Sequence, residues 1–273
     1  NAYTIVIDNG DATGQTADEF IAIDDATTVA IDASVVTSLN ASSVSDVKTL
    51  FERAQIGTRF DGTSFNNLSA TGVTITGGVT MDVTDLNAAI NAVDTVATGT
   101  VDIAFSADNA TTTVNGGTAA EFHTTLLGHK TAGHVSFSGI NLTVDGGGGA
   151  VSTSQANDLT NATTGTVTAT VSEGDVDTLK TLAARGNAAL SVTVTDGSAT
   201  AAELNTINAG TTQAVNINAI TTIEASSITD LNNLYTALSA DPAQFSNQGN
   251  IATVNVSGAT IDFTALETTI DNY

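Results

Sequence analysis

The chain has 273 residues, 41% of them hydrophobic, and only six Lys and Arg stand against 29 Asp and Glu, so its formal net charge is −23. Such a charge repels nucleic acid and anionic membrane surfaces, which excludes both as expected partners and makes cations the expected counterions. The chain has no cysteine, so disulfides and thiolate chemistry are excluded, and no run approaches the roughly 18 apolar residues of a spanning helix.

The N-terminal stretch AYTIVI is rich in β-branched residues and contains neither charge nor proline. It belongs to no complete strand–helix unit, so we expect it either to pair with the chain's own sheet or to donate a strand to a neighbouring copy. The residues of this predicted assembly segment are Tyr3, Thr4, Ile5, Val6 and Ile7.

An acidic turn, DNGDATGQTADE, follows at residues 8–19. Calcium needs clustered oxygen ligands, and a bound cation would offset the self-repulsion of the chain and raise its thermal stability. The order of an EF-hand loop is absent, so a solvated turn is the alternative interpretation. The candidate calcium ligands are Asp8, Asn9, Asp11, Asp18 and Glu19.

A short phrase then recurs: Ser, Thr or Asp, two residues, Asp or Glu, and apolar residues three or four apart. It predicts helix starts, because the first side chain accepts a bond from a first-turn N–H and the acid reaches back to the cap's own N–H. The predicted cap pairs are Ser43 with Asp46, Asp82 with Asp85, Thr118 with Glu121, Ser172 with Asp175, Thr200 with Glu203, and Ser227 with Asp230. A degraded copy lies at 154–160 and a weaker one at 262–270.

The copy SEGDVDTL at 172–179 adds a glycine and an extra acid, which would also suit a calcium loop or a phosphate cradle. Because the phrase recurs without these additions, a helix start is the favoured interpretation. Val176, Leu179 and Leu182 are then the buried stripe of that helix.

Runs of alternating apolar and polar residues separate the phrases, for example Val167, Ala169 and Val171. Such alternation predicts strands with one buried face and one face of Thr, Ser, Asn and Asp in water. Five glycines fall between a predicted helix and the next strand, where a left-handed stop is expected. These glycines are Gly99, Gly128, Gly165, Gly186 and Gly210.

The repeating unit is therefore strand, tight turn, capped short helix, glycine and strand. Strand–helix units usually give parallel strands by crossover, and units that bury one face must stack. The predicted fold is α/β, a one-sided solenoid-like stack of strand–short helix repeats with a largely parallel sheet. Uneven repeat lengths favour the alternative, an antiparallel β-sandwich with helical decorations.

The predicted domains are an N-terminal strand and acidic turn at 1–28, a first array at 29–145, a glycine hinge at 146–150 and a second array at 151–273.

Two motifs contain residue types that could support chemistry. His123, His129 and His134, with Glu121, would suit zinc or nickel, but HExxH and i,i+4 spacings are absent, so surface histidines are the favoured interpretation. The run VDGGGGAVSTSQ at 144–155 lacks the spacing of a dinucleotide fingerprint, and a hinge explains it as well. Since the sequence contains no recognisable nucleophile–base pair or carboxylate dyad, we expect no enzyme.

The phrases DASVVTSLNASSVSDV, ATGTVDIAF, TTGTVTATVSEGDVDTL and SATAAELNTINAGTTQAV resemble the Thr-, Ala- and Asp-rich repeats of very large cell-surface and secreted proteins of marine bacteria, especially cyanobacteria. The likeness covers about Val29 to Leu238. It implies an extracellular structural role in a surface layer, filament or adhesive coat.

The expected function is a structural subunit or module of an extracellular bacterial surface assembly, joined to itself head to tail by strand-edge pairing. The N-terminus lacks the pattern of a signal peptide, so the chain is either cytosolic or has lost a leader, and its acidic, Thr-rich composition favours the second. The alternative is an adhesin or a surface-binding module such as a fibre, with cell-surface polysaccharide as partner. An aromatic content of 4% disfavours sugar platforms, which usually need exposed Trp or Tyr.

Overall fold

The structure, a computed structural model, describes residues 5–7, 14–56, 65–66, 68, 72–96, 102–106, 109–240, 242–248 and 250–257. The chain divides into two compact units, the first made of residues 1–146 and 162–165 and the second of residues 147–161 and 166–273. The chain passes between the two units after Gly146, after Asn161 and after Gly165, and the hinge and domain bounds given above stay predictions.

Up to Gly146, short strands alternate with helices. The strands are β1 (Ile5–Val6), β2 (Ile31–Asp32), β3 (Ser38–Ser42), β4 (Phe65–Asn66), β5 (Gly72–Ile75), β6 (Thr80–Asp82), β7 (Asp102–Phe105), β8 (Thr113–Asn115) and β9 (Asn141–Thr143). The helices are α1 (Ala17–Asp25), α2 (Val44–Ile56), α3 (Val83–Val96) and α4 (Leu127–Thr131), with a 3-10 turn at Asn109–Thr111 and a π-helix, Glu121–Leu126, that continues into α4.

The same alternation continues after a 3-10 turn at Gly146–Gly148. The strands are β10 (Ala150–Val151), β11 (Val167–Val171), β12 (Ala188–Ser191), β13 (Ser198–Ala199), β14 (Val215–Asn216), β15 (Thr222–Ser226), β16 (Phe245–Ser246) and β17 (Thr253–Val256). The helices are α5 (Thr153–Ala162), α6 (Val176–Leu179), α7 (Ala201–Ala209) and α8 (Ile228–Leu238). Within the described ranges, none of the helices has the length and apolarity needed to cross a membrane.

Strands from successive repeats lie side by side and run parallel. In the first unit the strand orders are β1-β2-β4, β3-β5-β7 and β6-β8-β9. In the second unit they are β10-β11-β12, β13-β15-β17 and β14-β16. These pairs confirm the α/β class with largely parallel sheets. They do not fit the antiparallel sandwich, because a helical crossover returns the chain to start the next strand in the same direction.

The core follows the predicted alternation. In β11, Val167, Ala169 and Val171 are buried while the threonines between them are exposed. The helices add a single apolar stripe, as in α7, where Leu204 and Ile207 are fully buried. In β11 one face is therefore buried and the other carries threonine side chains, and α7 contributes one buried apolar stripe.

A segment of the first unit recurs in the second. Residues 16–47 align without gaps with residues 200–231, and both contain a helix, a short strand, a longer strand and the start of another helix. The pairing register shifts within the longer strand in both, β3 in one and β15 in the other. We call this segment the shared module.

The two copies of the shared module form the same hydrogen bonds. The N–H of Ala17, the first residue of α1, donates to Oγ of Ser42 at 2.8 Å, and the N–H of Ala201, the first residue of α7, donates to Oγ of Ser226 at 2.9 Å. Each hydroxyl in turn donates to the carbonyl oxygen two residues earlier, at 2.8 Å in both copies. Both serines are almost fully buried, so each one joins a helix start to the strand of the following repeat.

Hydrogen bonds of the predicted kind are present at several helix starts. In α7, the Glu203 N–H donates to Thr200 Oγ1 at 3.2 Å, and the Thr200 N–H donates to Glu203 Oε2 at 3.0 Å. The pairs Ser43 with Asp46 and Ser227 with Asp230 each have a backbone N–H to serine Oγ bond of 3.1 Å, and Thr118 with Glu121 has the reciprocal pair of bonds.

The predicted pairing at α6 is wrong in register. Asp175, not Ser172, is the N-cap, and its carboxylate accepts a bond from the Thr178 N–H at 2.8 Å. The Gly174 carbonyl accepts a bond from the Thr195 N–H at 2.8 Å, which keeps the chain extended up to Asp175, so the helix begins at Val176.

At α3 the predicted cap pair is Asp82 with Asp85, and the second acid, Asp85, contacts a lysine. The cap itself is Asp82, whose Oδ1 accepts a bond from the Thr84 N–H at 2.7 Å. Asp85 is exposed and lies 3.8 Å from the Lys48 ammonium.

The glycines expected to stop helices in a left-handed conformation do not have it where the structure describes them. Gly210 caps α7 with φ −76, and a Cβ there would lie 2.6 Å from Leu182 Cβ. At Gly165 a Cβ would collide with the Ile140 carbonyl. Close packing, rather than left-handed backbone, therefore explains glycine at these two positions, while Gly99 lies outside the described residues.

We expect Thr200→Ala to lower the free energy of unfolding by about 0.5–2 kcal/mol, because the Glu203 N–H loses its partner. Urea denaturation measures the change. The matched control is Thr206→Ala in the same helix, an exposed residue whose hydroxyl bonds only within the helix, with an expected effect within about 0.5 kcal/mol. Equal losses in both variants would contradict the capping role.

We expect Ser226→Ala to cost about 1–3 kcal/mol, because the Ala201 N–H and the Glu224 carbonyl lose a buried partner. Ser42→Ala, at the equivalent position of the other copy, should have a similar cost. Ser191→Ala, an exposed position on β12, is the control, and its cost should stay within about 0.5 kcal/mol. A Ser226→Ala variant as stable as the control would show that the bond adds nothing.

Candidate functional site

Of the predicted assembly segment, Ile5 and Val6 form a strand that pairs with the chain's own sheet. This strand, β1, pairs with β2, with Ile5 opposite Ile31, and the Ile7 N–H donates to the Asp32 carbonyl at 3.0 Å. Ile7 is buried, whereas Val6 has 64% of its surface exposed. Tyr3 and Thr4 lie outside the described residues. Within the part of the chain that the structure describes, β1 is an edge strand.

Of the candidate calcium ligands, Asp18 and Glu19 lie in the first turn of α1. The Glu19 carboxylate accepts bonds from the Thr16 N–H at 2.9 Å and the Thr16 hydroxyl at 3.1 Å, so it is the acid of a helix cap. Asp8, Asn9 and Asp11 lie outside the described residues, and calcium binding by this turn stays a prediction. Thr16 and Glu19 have the Thr-x-x-Glu spacing of the recurring phrase, so the sequence pattern could have predicted this helix cap.

The histidines are not all surface residues. His129, in α4, and His134, just after it, are both half-buried, with ring centroids 6.0 Å apart and a 32° angle between the ring planes. His134 Nε2 lies 3.6 Å from Asp94 Oδ1. Burial lowers the pKa of His129, the nearby His134 lowers it further, and Asp94 acts in the opposite direction.

Glu121 is not part of this cluster. Its carboxylate accepts bonds from the N–H and the hydroxyl of Thr118, at 2.7 and 2.8 Å, and from the Thr84 hydroxyl at 3.1 Å. The backbone bond from Thr118 is the main reason that the pKa of Glu121 is lowered. The structure therefore separates the helix-capping acid from the histidines.

The glycine-rich run at 144–155 forms turns and a helix start. Asp145 Oδ1 accepts a bond from the Gly116 N–H at 2.7 Å, and a Cβ at Gly146 would lie 2.5 Å from the Gly116 carbonyl oxygen. Ser152 and Gln155 then form a reciprocal cap for α5, with bonds of 2.9 and 3.1 Å. This cap begins two residues before the degraded copy predicted at 154–160, which lies inside α5, and it uses Gln in place of an acid.

Comparisons with known proteins find no family model, no curated protein and no solved structure that matches this chain. Among the described residues, no group of three or more His, Cys, Asp or Glu side chains is arranged to hold a metal ion. The features that remain for function are the edge strand β1, the polar strand faces and the histidine pair.

The capping carboxylates add a pH-dependent component to stability. Hydrogen bonds from Thr200, the backbone bond first, and the Lys180 ammonium lower the pKa of Glu203 below its ordinary value of 4.5, and burial opposes them. A carboxylate whose folded pKa is lowered stabilises the fold above its unfolded pKa, and that stabilisation disappears as the pH falls through the folded value.

We therefore expect the stability difference between the wild type and Glu203→Gln to shrink as the pH falls from 7 to below 4.5. Urea denaturation across this range measures it, since glutamine keeps the shape of the cap but does not titrate. Parallel pH profiles for the two proteins would contradict the assignment.

Proposed function

We propose that the chain is a structural subunit or module of an extracellular bacterial surface assembly, and that its copies join head to tail by pairing strand edges. The observation that carries this proposal is β1, an uncharged edge strand that exposes Val6. Unpaired edge N–H and C=O groups invite another strand unless charge, proline or a covering element blocks them.

The arrangement of repeats supports the proposal. In each unit, strands of successive repeats add in parallel beside one another, and the shared module occurs in both units. We propose that the repeats form a one-sided solenoid-like stack, in which each repeat contacts its neighbours and the terminal repeats present open edges.

The accepting edge in this proposal is β17 of a second copy. Within the described residues β17 is the outer strand of β13-β15-β17, it is uncharged, and Val256 is 38% exposed. Main-chain bonds between β1 and β17 would give affinity, and alternate apolar side chains would give register. Because donor and acceptor edges differ, the contact is heterologous and builds a filament rather than a closed ring.

Composition supports an extracellular place for this assembly. The chain exposes hydroxyl and amide side chains on its strands, carries a charge of −23, and resembles repeat regions of large bacterial surface proteins. The same polar strand face, with Thr168 and Thr170 exposed on β11, favours the second candidate, an adhesin or fibre module that binds cell-surface polysaccharide.

We expect Val6→Lys to abolish assembly while leaving the fold intact, because a lysine on an edge strand blocks strand addition. Deleting residues 1–7 is a poorer test, since Ile7 is part of the core. Light scattering and electron microscopy follow assembly, and circular dichroism follows the fold.

The matched control is Val79→Lys, which changes another exposed valine, 44% accessible, in the turn between β5 and β6. It should assemble like the wild type. Normal filaments from Val6→Lys would refute the edge mechanism. A wild type that stays monomeric and co-sediments with polysaccharide would favour the adhesin instead.

A further inference from the structure

His129 and His134 are held close together by the backbone. The His134 N–H donates to the His129 carbonyl at 2.9 Å, which closes the chain after α4 and leaves the ring centroids 6.0 Å apart. The rings belong to one short segment of the first unit, so their separation does not depend on distant parts of the chain.

One nitrogen of each ring is buried and unpartnered. Among the described residues, His129 Nε2 and His134 Nδ1 find no hydrogen-bond partner. Buried polar atoms are nearly always bonded, and an exception in a native structure points to a bound water, a bound ion or a catalytic role.

The other nitrogen of His134 faces a carboxylate. His134 Nε2 lies 3.6 Å from Asp94 Oδ1, and the His134 side chain is 21% exposed. A histidine that binds a metal commonly turns its second nitrogen toward a carboxylate, which sets the tautomer and the ring orientation. This arrangement directs the proton of His134 to Nε2 and leaves Nδ1 with a lone pair.

The spacing of the rings suits one shared ion. Two imidazoles that bind the same ion at metal–nitrogen distances of about 2.0–2.1 Å have ring centres roughly 4.5–6.4 Å apart, depending on the nitrogen–metal–nitrogen angle. The observed separation of 6.0 Å falls in this range.

We propose that His129 Nε2 and His134 Nδ1 form a two-imidazole site for a borderline divalent transition metal ion, with Asp94 positioning His134. Imidazole suits Cu²⁺, Zn²⁺ and Ni²⁺, and Cu²⁺ binds most tightly of the three. Since the described residues offer no third His, Cys, Asp or Glu ligand in reach, water fills the remaining positions. Calcium, which takes oxygen ligands, does not compete at this site.

The test uses Cu²⁺ alone with the full chain at neutral pH. Electron paramagnetic resonance should show two nitrogen ligands on one bound ion, and titration calorimetry should show one site tighter than the background of surface carboxylates. His129→Gln and His134→Gln should each weaken this site by more than about tenfold, and Asp94→Asn by about 10–100-fold.

The control is His123→Gln, which changes the remaining histidine of the chain, on the neighbouring π-helix, and should keep both the spectrum and the affinity. Circular dichroism checks that each variant is folded. Fewer than two nitrogen ligands in the wild-type spectrum would overturn the proposal without any variant. Unchanged binding in the double variant His129→Gln/His134→Gln, or an equal loss in His123→Gln, would overturn it as well.

Discussion

The structure depends on one constraint: the first backbone N–H of a helix needs a hydrogen-bond partner. A helix that starts directly at the end of a buried strand leaves that N–H away from water, where an unpaired donor costs about 1–3 kcal/mol. At the starts of α1, α5, α6 and α7, a side chain from the following repeat accepts the bond from this N–H. The bonds are Ala17 to Ser42, Thr153 to Glu173, Val176 to Asp196, and Ala201 to Ser226. Local caps satisfy the next N–H groups of the first turn, so these four helix starts depend both on their own caps and on the repeat that follows.

Buried threonines that follow helices donate hydrogen bonds to backbone carbonyls of the preceding repeat. Thr163, after α5, donates to the carbonyls of Phe137 and Ile140, and Thr211, after α7, donates to the carbonyl of Leu190. Both threonines are nearly inaccessible to solvent. The richness of the chain in threonine therefore has two origins, because some threonines lie on the polar face of a strand and others bond carbonyls of the preceding repeat inside the core.

Sequence periodicity was enough to predict what depends on neighbours along the chain. The α/β class, the alternation in β11 and the cap at Thr200 follow from spacing alone, because these contacts lie within a few residues. Contacts between repeats were not predictable in this way. The sequence around Ser226 predicts an exposed polar residue, although Ser226 is buried. The residues next to Gly210 in the sequence give no indication that Leu182 packs against this glycine. The half-buried position of the histidine pair was not predictable for the same reason, because Asp94, which lies near His134, belongs to α3.

The shared module indicates how far structure is determined locally in this chain. Residues 16–47 and 200–231 lie in different units, with different sequence on either side, yet they reproduce the same helix, the same register shift and the same serine bond. Each copy is therefore specified by its own residues and those of the adjoining repeat, as expected where stability is a sum of repeat and nearest-neighbour contributions. A surface that accepts the next repeat within a chain consists of strand edges and of N–H and C=O groups placed at fixed spacing. In the proposed assembly, a strand from a second copy would present the same N–H and C=O groups at the same spacing, so the bonds that join repeats within the chain are the bonds that would join one chain to another.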